Sequence, residues 1–370
     1  MPLAADPVDG LVLEVDALLA WTRSIVLAIG TPEDIAADVA DVVVAADVRG
    51  IASHGTARLP RYVRLVDVGM VDPAARPSVV RSRPALSLLD AAHGWGHHAG
   101  RVAMDRAIAG AVDVGSSVVS VRNSSHFGIA GWYAMRAAAR GMIGIALTNT
   151  SPLVAPTRGR AAMIGTNPIA VAAPAGRHGQ LVLDMATSTV PRGRIEVAAR
   201  RGEAIPHGWA IADDGTSTMS PDEALGGALQ PLGGREETGG YKGYGLSLVV
   251  DLVTGVLAGT QFGPNVVDLF SSGGRSDLGQ LFGAIDIEAV ADRAEFEGRL
   301  EAYIDQLAAT PRAQGATGPV VFPGQPEAER TARSRRDGIV VDRAHFDALA
   351  QLAARFGIPE PPARSLRRRA

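Results

Sequence analysis

Ser53, His54 and Arg58 lie close together in the segment "RGIASHGTARLPRYV", residues 49–63. A histidine titrates near neutral pH and can exchange a proton, whereas an arginine offers paired donors that suit a carboxylate. If a helix begins at Ser53 or Gly55, the imidazole and the guanidinium lie one turn apart on the same face. The pair therefore predicts a site for a 2-hydroxy or 2-oxo acid. The alternative is a helix capped by Ser53, with His54 at the surface.

A second group of candidate residues lies in "NSSHFGIAGWYA", residues 123–134, where a predicted strand ends and a helix begins. Such junctions carry unpaired backbone amides that bind anions and cofactors, and Gly128 allows close approach of the backbone. This pattern indicates a binding role for His126. The alternative is a helix N-cap at Ser124 or Ser125 beside an unrelated histidine.

Polar residues interrupt three later apolar strands, in "LTNTSP", "IGTNPIA" and "LDMATSTVPRGRI". A buried Asp184 in the last of these would need a partner, and a histidine is one natural choice. In "GGYKGYG", Lys242 lies among glycines without the residues of a Walker motif. It could present its ammonium group to a phosphate, or it could belong to a flexible turn.

The loop "HGWGHHAG" has glycine spacing close to a dinucleotide-binding fingerprint, but its bulky residues and variant spacing disfavour a Rossmann site. The same loop contains His93, His97 and His98. Zinc sites need three or four converging ligands, and the sequence has no pattern of the H-E-x-x-H kind. We therefore expect no metal site here, and we expect these histidines to be solvated or to cap turns.

Hydrophobic periodicity divides the chain into helical ends and a strand-rich centre. Residues 31–50 form a well-delimited helix, a second helix follows "IASHG", and "GYGLSLVVDLVTGVLAG" has the pattern of a mostly buried helix. The alternation of strands and helices in the centre predicts a mixed α/β or α+β fold. We expect a discontinuous helical domain, residues 1–76 plus 292–370, and a sheet-containing cofactor and substrate domain, residues 77–291.

Composition excludes several functional classes. A net charge of −3 disfavours nucleic acid as a partner, because a duplex requires a concentrated basic face. The absence of cysteine excludes disulfides and thiolate chemistry. The acidic N-terminal segment is unlike a signal peptide, and the longest apolar stretch is too short for a membrane span. We expect a cytoplasmic protein with no membrane partner.

Seven segments, in consistent order from about residue 10 to residue 345, resemble the malate/L-lactate dehydrogenase family of the second, non-Rossmann type. They are "RGIASHGTARLPRYV", "NSSHFGIAGWYA", "TNTSPLVAPT", "IGTNPIAVAAP", "LDMATSTVPRGRI", "GEAIPHGWAIADDGTST" and "PLGGREETGGYKGYGLSLVVDLVTGVLAG". The family also contains ureidoglycolate, sulfolactate and 2,3-diketogulonate oxidoreductases and a cyclic-imine reductase.

The resemblance implies a homodimeric oxidoreductase that uses NAD or NADP and a non-Rossmann cofactor fold, with its active site between domains. Hydride would pass between the nicotinamide and C2 of a small 2-hydroxy or 2-oxo acid. His54 would be the acid/base, with Ser53, Asp184 and His126 in the same catalytic group, and the substrate would contact Arg58, Thr166 and Asn167. The implied cofactor-binding residues are His126, Phe127, Gly128, Ile129, Ala130, Thr148, Asn149, Asp184, Met185, Ala186, Arg194, Lys242, Gly243, Gly324 and Gln325.

The chain departs from the family pattern at three places. Arg194 replaces a usual lysine, Arg158 and Arg160 flank a glycine where two glycines are usual, and Gln325 replaces a usual glutamate. An arginine keeps the charge of a lysine but not its geometry, and a glutamine cannot bind a ribose as a carboxylate does. The sequence leaves open the acid substrate and the choice between NAD and NADP. It also leaves open a cyclic-imine reductase and a non-catalytic ligand-binding relative.

Overall fold

The computed structural model describes residues 10–267 and 273–365. Its strands are β1 (Gly10–Leu13), β2 (Ser78–Arg83), β3 (Leu86–Asp90), β4 (Ser116–Ser124), β5 (Met142–Thr148), β6 (Ile169–Pro174), β7 (Gln180–Met185), β8 (Ala210–Ile211), β9 (Ala228–Leu229), β10 (Leu278–Asp286), β11 (Ile339–Asp342) and β12 (Ala363–Ser365). Its α-helices are α1 (Val15–Ala28), α2 (Glu33–Val48), α3 (Leu59–Asp67), α4 (Gly96–Val114), α5 (Ala130–Ala138), α6 (Arg192–Arg201), α7 (Pro221–Gly226), α8 (Gly240–Asp251), α9 (Arg293–Ala308), α10 (Gln325–Asp337) and α11 (Arg343–Ala354).

A mixed sheet forms the centre of the described chain, with seven strands in the order β2-β3-β4-β10-β5-β6-β7. The β3–β4 pair is parallel, and the other neighbouring strands of this sheet are antiparallel. A doubly wound dinucleotide fold would need a mostly parallel sheet. The predicted mixed α/β fold with a non-Rossmann sheet is confirmed.

Helices α4 and α5 cover the sheet and bury a core that includes Met104, Phe127, Tyr133 and Phe282. Residues of β5 alternate between buried and half-buried positions, as expected for a strand with one face on a core. Gly100 lets α4 lie close to this core, because a Cβ there would be 2.7 Å from the Tyr133 ring. The covered sheet holds the ends of β4, β5 and β7 in fixed positions.

A second core joins the two ends of the chain. Strand β1 pairs with β11 and β12, and the buried cluster around it combines residues of α1, α2 and α3 with residues of α11. The expected domain boundaries stay a prediction, and one helix of the C-terminal part lies elsewhere. Helix α9 packs against the turn at residues 176–178, where Ile304 joins Ala175 and Phe322.

A smaller third core surrounds Val154, Ile195 and Leu229, and includes α6, α7 and the β8–β9 pair. It lies next to the end of the main sheet, because Ser188 forms a bridge with Pro231 just beyond β7. The periodicity of the sequence did not separate this core from the central sheet, because its elements are short.

Helix α8 and the π-helical turn that follows it, Leu252–Val256, differ from the expectation of a mostly buried helix. The prediction is wrong for one face, which leaves large apolar side chains exposed: Leu246, Leu248, Val249, Leu252, Val256 and Leu257. The helix is apolar on all sides, so periodicity could not tell the packed face from the open one. Exposed apolar patches of this kind mark interaction surfaces.

The histidines of the glycine-rich loop also differ from expectation. His97 and His98 lie in the first turn of α4 and are buried, with 0% and 4% exposed surface. His98 Nδ1 lies 2.6 Å from Asp38 Oδ2, which gives it a buried partner. Solvation was the wrong prediction because the loop passes directly into a helix that packs on α2.

Sequence periodicity did not predict strands β1, β11 and β12 of the described chain, which are short and lie next to helices. No described helix is both long enough and apolar enough to cross a membrane.

Candidate active site

The predicted catalytic turn lies between α2 and α3 and consists of two short 3-10 turns, Ala52–His54 and Thr56–Arg58. The expectation of a single helical turn from Ser53 or Gly55 is therefore wrong. Helix α3 begins only at Leu59, because the turn is held by contacts with α2 instead of by continuous helical bonding.

Asp47, near the end of α2, holds this turn in place. Its Oδ2 accepts hydrogen bonds from Thr56 N at 2.8 Å and from Thr56 Oγ1 at 2.6 Å. The turn approaches so closely that a Cβ on Gly55 would lie 1.8 Å from Asp47 Oδ1. From the other end of the chain, His345 Nε2 lies 3.1 Å from Thr56 Oγ1. Contacts from both ends of the chain therefore fix the position of the candidate catalytic residues.

Ser53 contacts both candidate catalytic side chains. Its Oγ lies 3.0 Å from His54 Nδ1, and its carbonyl oxygen accepts a hydrogen bond of 2.6 Å from Arg58 Nε. The terminal nitrogens of Arg58 are thus oriented by the bond at Nε. His54 and Arg58 are both partly exposed, as residues that meet a ligand must be.

His126, in the loop between β4 and α5, joins this group. Its ring stacks on the ring of His54, with centroids 5.6 Å apart and an interplanar angle of 24°. Its Nδ1 lies 2.7 Å from the Tyr62 hydroxyl and 3.2 Å from Gly128 N. The two histidines predicted from separate motifs are therefore neighbours in space.

Both imidazoles are held neutral. Enclosure by protein, with the nearby charge of Arg58 adding to it, lowers the pKa of His54 to about 4. Burial, followed by the neighbouring His54 and Arg58, also puts the pKa of His126 well below the usual value. A neutral His54 can accept a proton from a substrate hydroxyl.

Asp184 is the last but one residue of β7 and is exposed. Its Oδ2 accepts a hydrogen bond of 2.8 Å from Gly131 N, in the first turn of α5. Loss of solvent around the carboxyl group raises the pKa of Asp184 to about 6, and the Gly131 N–H and the charge of Arg49 oppose this rise. Within the described chain the hydrogen-bond partner of Asp184 is a backbone amide and not the histidine that we expected.

Thr166 lies beside this strand end, because Thr187 donates from both N and Oγ1 to its carbonyl oxygen, at 2.8 and 3.1 Å. The side chain of Asn167 is turned inward, where it contacts Thr150 N at 3.0 Å and Ser247 O at 3.0 Å. Asn167 is fully buried and Thr166 is partly exposed. Of this predicted pair, Thr166 is the one with an accessible side chain.

Several other predicted cofactor residues make contacts within the protein. The Asn149 side chain bonds to Gly279 N at 2.9 Å and to Gln261 O at 2.8 Å, and Thr148 Oγ1 bonds to Gly279 O at 2.9 Å. Phe127 stacks on Tyr133 in the sheet core. The predicted residues with buried side chains are Phe127, Ile129, Ala130, Thr148 and Asn149.

Lys242 is exposed in the first turn of α8, and its Nζ lies 5.7 Å from the ring centroid of Tyr241. Gly243 is buried against Leu232, where a Cβ would lie 2.2 Å from the Leu232 carbonyl oxygen. Leu232 N in turn bonds to Thr187 O at 2.8 Å, just beyond β7. These contacts connect the start of α8 to the strand end that carries Asp184.

The predicted C-terminal loop also reaches this strand. Val182 N donates to Pro323 O at 2.9 Å, and a Cβ on Gly324 would lie 2.9 Å from Val182 Cβ. Gln325 turns along α10 instead, where its Nε2 bonds to Glu329 Oε1 at 2.9 Å. Arg194 lies half-buried in the first turn of α6.

The accessible residues suit a phosphate-bearing dinucleotide. Helix α8 begins without a side-chain cap, and the positive end of its dipole can attract an anion, whereas Gly131 N in the first turn of α5 already donates to Asp184. Lys242 adds a positive charge beside the N-terminus of α8. Among the described residues, no group of three or more histidine and acidic side chains is placed to hold a metal ion.

Three supporting residues escaped the sequence prediction: Asp47, Thr56 and Tyr62. Tyr62 follows Arg58 by four residues, a helical spacing that could have indicated its position. Asp47 interrupts an apolar helix, and a buried aspartate in such a position needs donors. Thr56 gave no signal, because its role depends on contacts with distant residues.

Comparison with known proteins gives a consistent result. Residues 13–350 match the family model described as malate/L-lactate dehydrogenase. The chain is 46% identical to a malate dehydrogenase of Pyrococcus abyssi over 79% of this chain and 80% of the relative. It is 36% identical to an L-sulfolactate dehydrogenase of Methanocaldococcus jannaschii, over 89% of this chain and 92% of the relative. The solved structure of malate dehydrogenase from Pyrococcus horikoshii OT3 superposes with a TM-score of 0.89 at 37% identity, covering 96% and 99% of the two chains.

Proposed function

We propose, from the premise that the chain belongs to the malate/L-lactate dehydrogenase family, that its active site lies in the cleft lined by His54, Arg58, His126 and Asp184. The protein is an oxidoreductase that acts on hydroxy acids with a nicotinamide cofactor. The single observation that supports this location best is the stacking of His54 on His126, with Ser53 between His54 and Arg58. This stacking brings together His54 and His126, which belong to separate motifs and lie 72 positions apart in the sequence.

Arg58 binds the substrate carboxylate in this proposal. Its Nε is committed to Ser53 O, so the guanidinium plane is fixed before a ligand arrives. A fixed guanidinium holds a carboxylate through charge-assisted hydrogen bonds and orients the adjacent C2 atom. Thr166, with an accessible side chain close to β7, can contact a polar group on the other end of a small acid.

His54 exchanges the proton of the substrate oxygen. Because enclosure and Arg58 keep it neutral, its ring can take the proton of a 2-hydroxy group during oxidation. Binding of a carboxylate at Arg58 would offset the positive charge and raise the pKa of His54, which favours proton donation in the reverse direction. Ser53 Oγ, 3.0 Å from Nδ1, keeps the ring oriented.

The cofactor supplies or accepts the hydride when bound. We propose that Lys242 and the N-terminus of α8 bind the phosphate groups of the cofactor. Met185, Ala186 and Gly128 would lie beside the bound cofactor. Asp184 and Gly131 tie β7 to α5 at this place. The loop at Gly324 packs against Val182 of β7, and we propose that Arg194, in the first turn of α6, also contacts the bound cofactor.

We also propose that the protein is a homodimer and that the exposed face of α8 and its π-helical turn forms the subunit interface. Val249, Leu252 and Leu257 are 54%, 52% and 68% exposed, which is costly for apolar side chains in water. A second copy offers the same apolar face and would cover it by two-fold symmetry. A cytoplasmic location is part of the proposal, because a chain without cysteine has no need of an oxidising compartment.

A spectrophotometric panel tests the proposed function. The purified protein would be mixed with NADH or NADPH and one of about a dozen 2-oxo acids, including oxaloacetate, pyruvate and sulfopyruvate, and with one cyclic imine carboxylate. We expect cofactor oxidation with at least one 2-oxo acid and a preference for one cofactor. Turnover of the cyclic imine alone would replace the acid substrate by an imine, and no turnover with any compound would contradict the proposal.

A further inference from the structure

We propose that Tyr62 is a positioning residue that holds His126 in the tautomer with its proton on Nε2, so that His126 presents an N–H donor to an oxygen atom of the bound ligand. The nature of that ligand rests on the proposed function. The tautomer itself rests only on contacts within the chain.

Two groups of the protein lie within hydrogen-bond distance of His126 Nδ1. Gly128 N, 3.2 Å away, carries a hydrogen and can only donate. Nδ1 must therefore be an acceptor without a proton of its own. The Tyr62 hydroxyl, 2.7 Å from the same atom, must then donate as well. A neutral imidazole has one N–H group, so the proton of His126 resides on Nε2.

Packing holds the side chain of Tyr62 in place. Its side chain is 2% exposed and lies in helix α3. The ring packs edge-on against Trp95, with centroids 6.0 Å apart, and against His97, with centroids 5.0 Å apart. Trp95 is fixed in turn by a hydrogen bond of 3.1 Å from its Nε1 to Thr31 Oγ1. The hydroxyl of Tyr62 therefore points at His126 before any ligand binds.

One edge of the His126 imidazole remains open to a ligand. His126 keeps part of its surface accessible, although its Nδ1 edge is closed by Tyr62 and Gly128. The opposite edge, which carries Nε2, is thus the one that can meet a ligand. Because the ring stacks on His54, this edge lies beside the proposed proton-transfer residue.

The arrangement divides two tasks between two similar side chains. His126 has no unshared Nδ1 lone pair for proton transfer, and burial keeps it neutral, so it acts as a donor only. His54, whose Nδ1 faces the adaptable hydroxyl of Ser53, remains the acid/base. The ligand group that suits His126 is a carbonyl, carboxamide or carboxylate oxygen.

Nitrogen NMR of the ligand-free, full-length protein with ¹⁵N-labelled histidine tests the inference, with His126→Gln used to assign the ring. We expect an unprotonated Nδ1 and a protonated Nε2 in the wild type. In Tyr62→Phe, loss of one hydrogen bond should lower the ratio of the Nε2–H to the Nδ1–H tautomer roughly two- to tenfold. Turnover should fall only as far as the Nε2–H fraction of His126 falls.

Tyr133→Phe is the matched control. It removes a buried hydroxyl that bonds to Phe127 O at 2.6 Å and touches no imidazole nitrogen, so the His126 signals should keep their wild-type tautomer. A protonated Nδ1 in the wild type would overturn the inference, even if Tyr62→Phe did not fold. So would a wild-type tautomer ratio in Tyr62→Phe. The spectra need no substrate, so a failure of the proposed function would appear in the substrate panel and leave this result separate.

Discussion

Arg58 illustrates how one side chain can be both tethered and available. Its Nε–H bonds to the carbonyl oxygen of Ser53, only five residues earlier, while the residue stays partly exposed. The bond fixes the guanidinium plane and leaves the terminal N–H groups to face an anion. A lysine could reproduce the charge, but neither the tether nor the paired donors.

Arg58→Lys should therefore raise the KM for 2-oxo acids by about tenfold or more and change kcat less. Steady-state kinetics with the best substrate of the panel measures both constants. Arg64→Lys is the control, because Arg64 is exposed on the following helix, α3, and should leave KM unchanged. An unchanged KM in Arg58→Lys would remove this residue from the carboxylate site.

At the scale of elements, the turn between α2 and α3 depends on partners that are distant in the sequence. Asp47 belongs to the preceding helix, and His345 to the first turn of α11. Burial raises the pKa of Asp47, and the two hydrogen bonds from Thr56 reduce this rise without cancelling it. The position of His54 and Arg58 is thus set by a buried polar cluster and not by helix propensity.

Thr56→Val should lower the free energy of unfolding by about 1–3 kcal/mol, because it removes a donor from a buried carboxyl group. It should also lower kcat, since the catalytic turn loses a restraint. Urea denaturation and steady-state kinetics measure the two effects. Thr22→Val is the matched control: Thr22 is also fully buried, but its Oγ1 has no hydrogen-bond partner in the described chain. Equal destabilisation by both substitutions would contradict a specific role for Thr56.

The sequence predicted the helices and strands of the centre because burial leaves a periodic pattern. It singled out His54, Arg58 and His126 as candidates because few other side chains offer their chemistry. It could not show that Asn149 and Asn167 turn inward, since a polar residue at a strand end has the same appearance whether it binds a ligand or a backbone amide. Nor could it show the stacking of His54 on His126, which depends on the packing of two cores.

At the scale of the whole molecule, α8 and the turn that follows it leave a face of large apolar side chains exposed to solvent. The helix also carries buried Asp251, which contacts Asn149 at 3.2 Å and so connects this face to the end of β5. Coverage of the face by a second copy would reduce its exposed apolar area and support the strand ends behind the cleft.

Leu252→Glu should therefore convert a dimer into a monomer, because the new charge would be buried in the proposed interface. Sedimentation equilibrium measures the mass in solution. Leu86→Glu provides the control, since Leu86 is 59% exposed but lies on β3, away from α8. A monomeric wild type, or a Leu252→Glu variant that remains dimeric, would contradict this interface.

The buried imidazole of His97 should make the free energy of unfolding depend on pH. It is fully buried, neither ring nitrogen has a hydrogen-bond partner in the described chain, and burial lowers the pKa of His97 to about 3, with Asp38 opposing the shift. Between pH 6.5 and about 3 the unfolded chain binds a proton there that the folded chain does not, so the contribution of His97 to stability decreases as the pH falls.

Between pH 6 and pH 4 the contribution of His97 to the free energy of unfolding falls by about 1.4 kcal/mol for each unit by which the pH decreases. His97→Phe, which keeps a planar ring beside Tyr62, should therefore lose stability less steeply on acidification than the wild type. Urea denaturation at several pH values gives both slopes. Parallel slopes would mean that His97 is not a neutral, buried group.

The proton-transfer role of His54 is tested by the turnover of His54→Ala beside the exposed-histidine control His207→Ala. We predict that kcat falls about 10²- to 10⁴-fold in His54→Ala, as expected for loss of a positioned acid/base. The NADH dissociation constant, from fluorescence titration, should stay within about twofold of the wild type in both variants, and His207→Ala should retain wild-type turnover. A His54→Ala variant with near-normal kcat would contradict the central claim that His54 moves the proton.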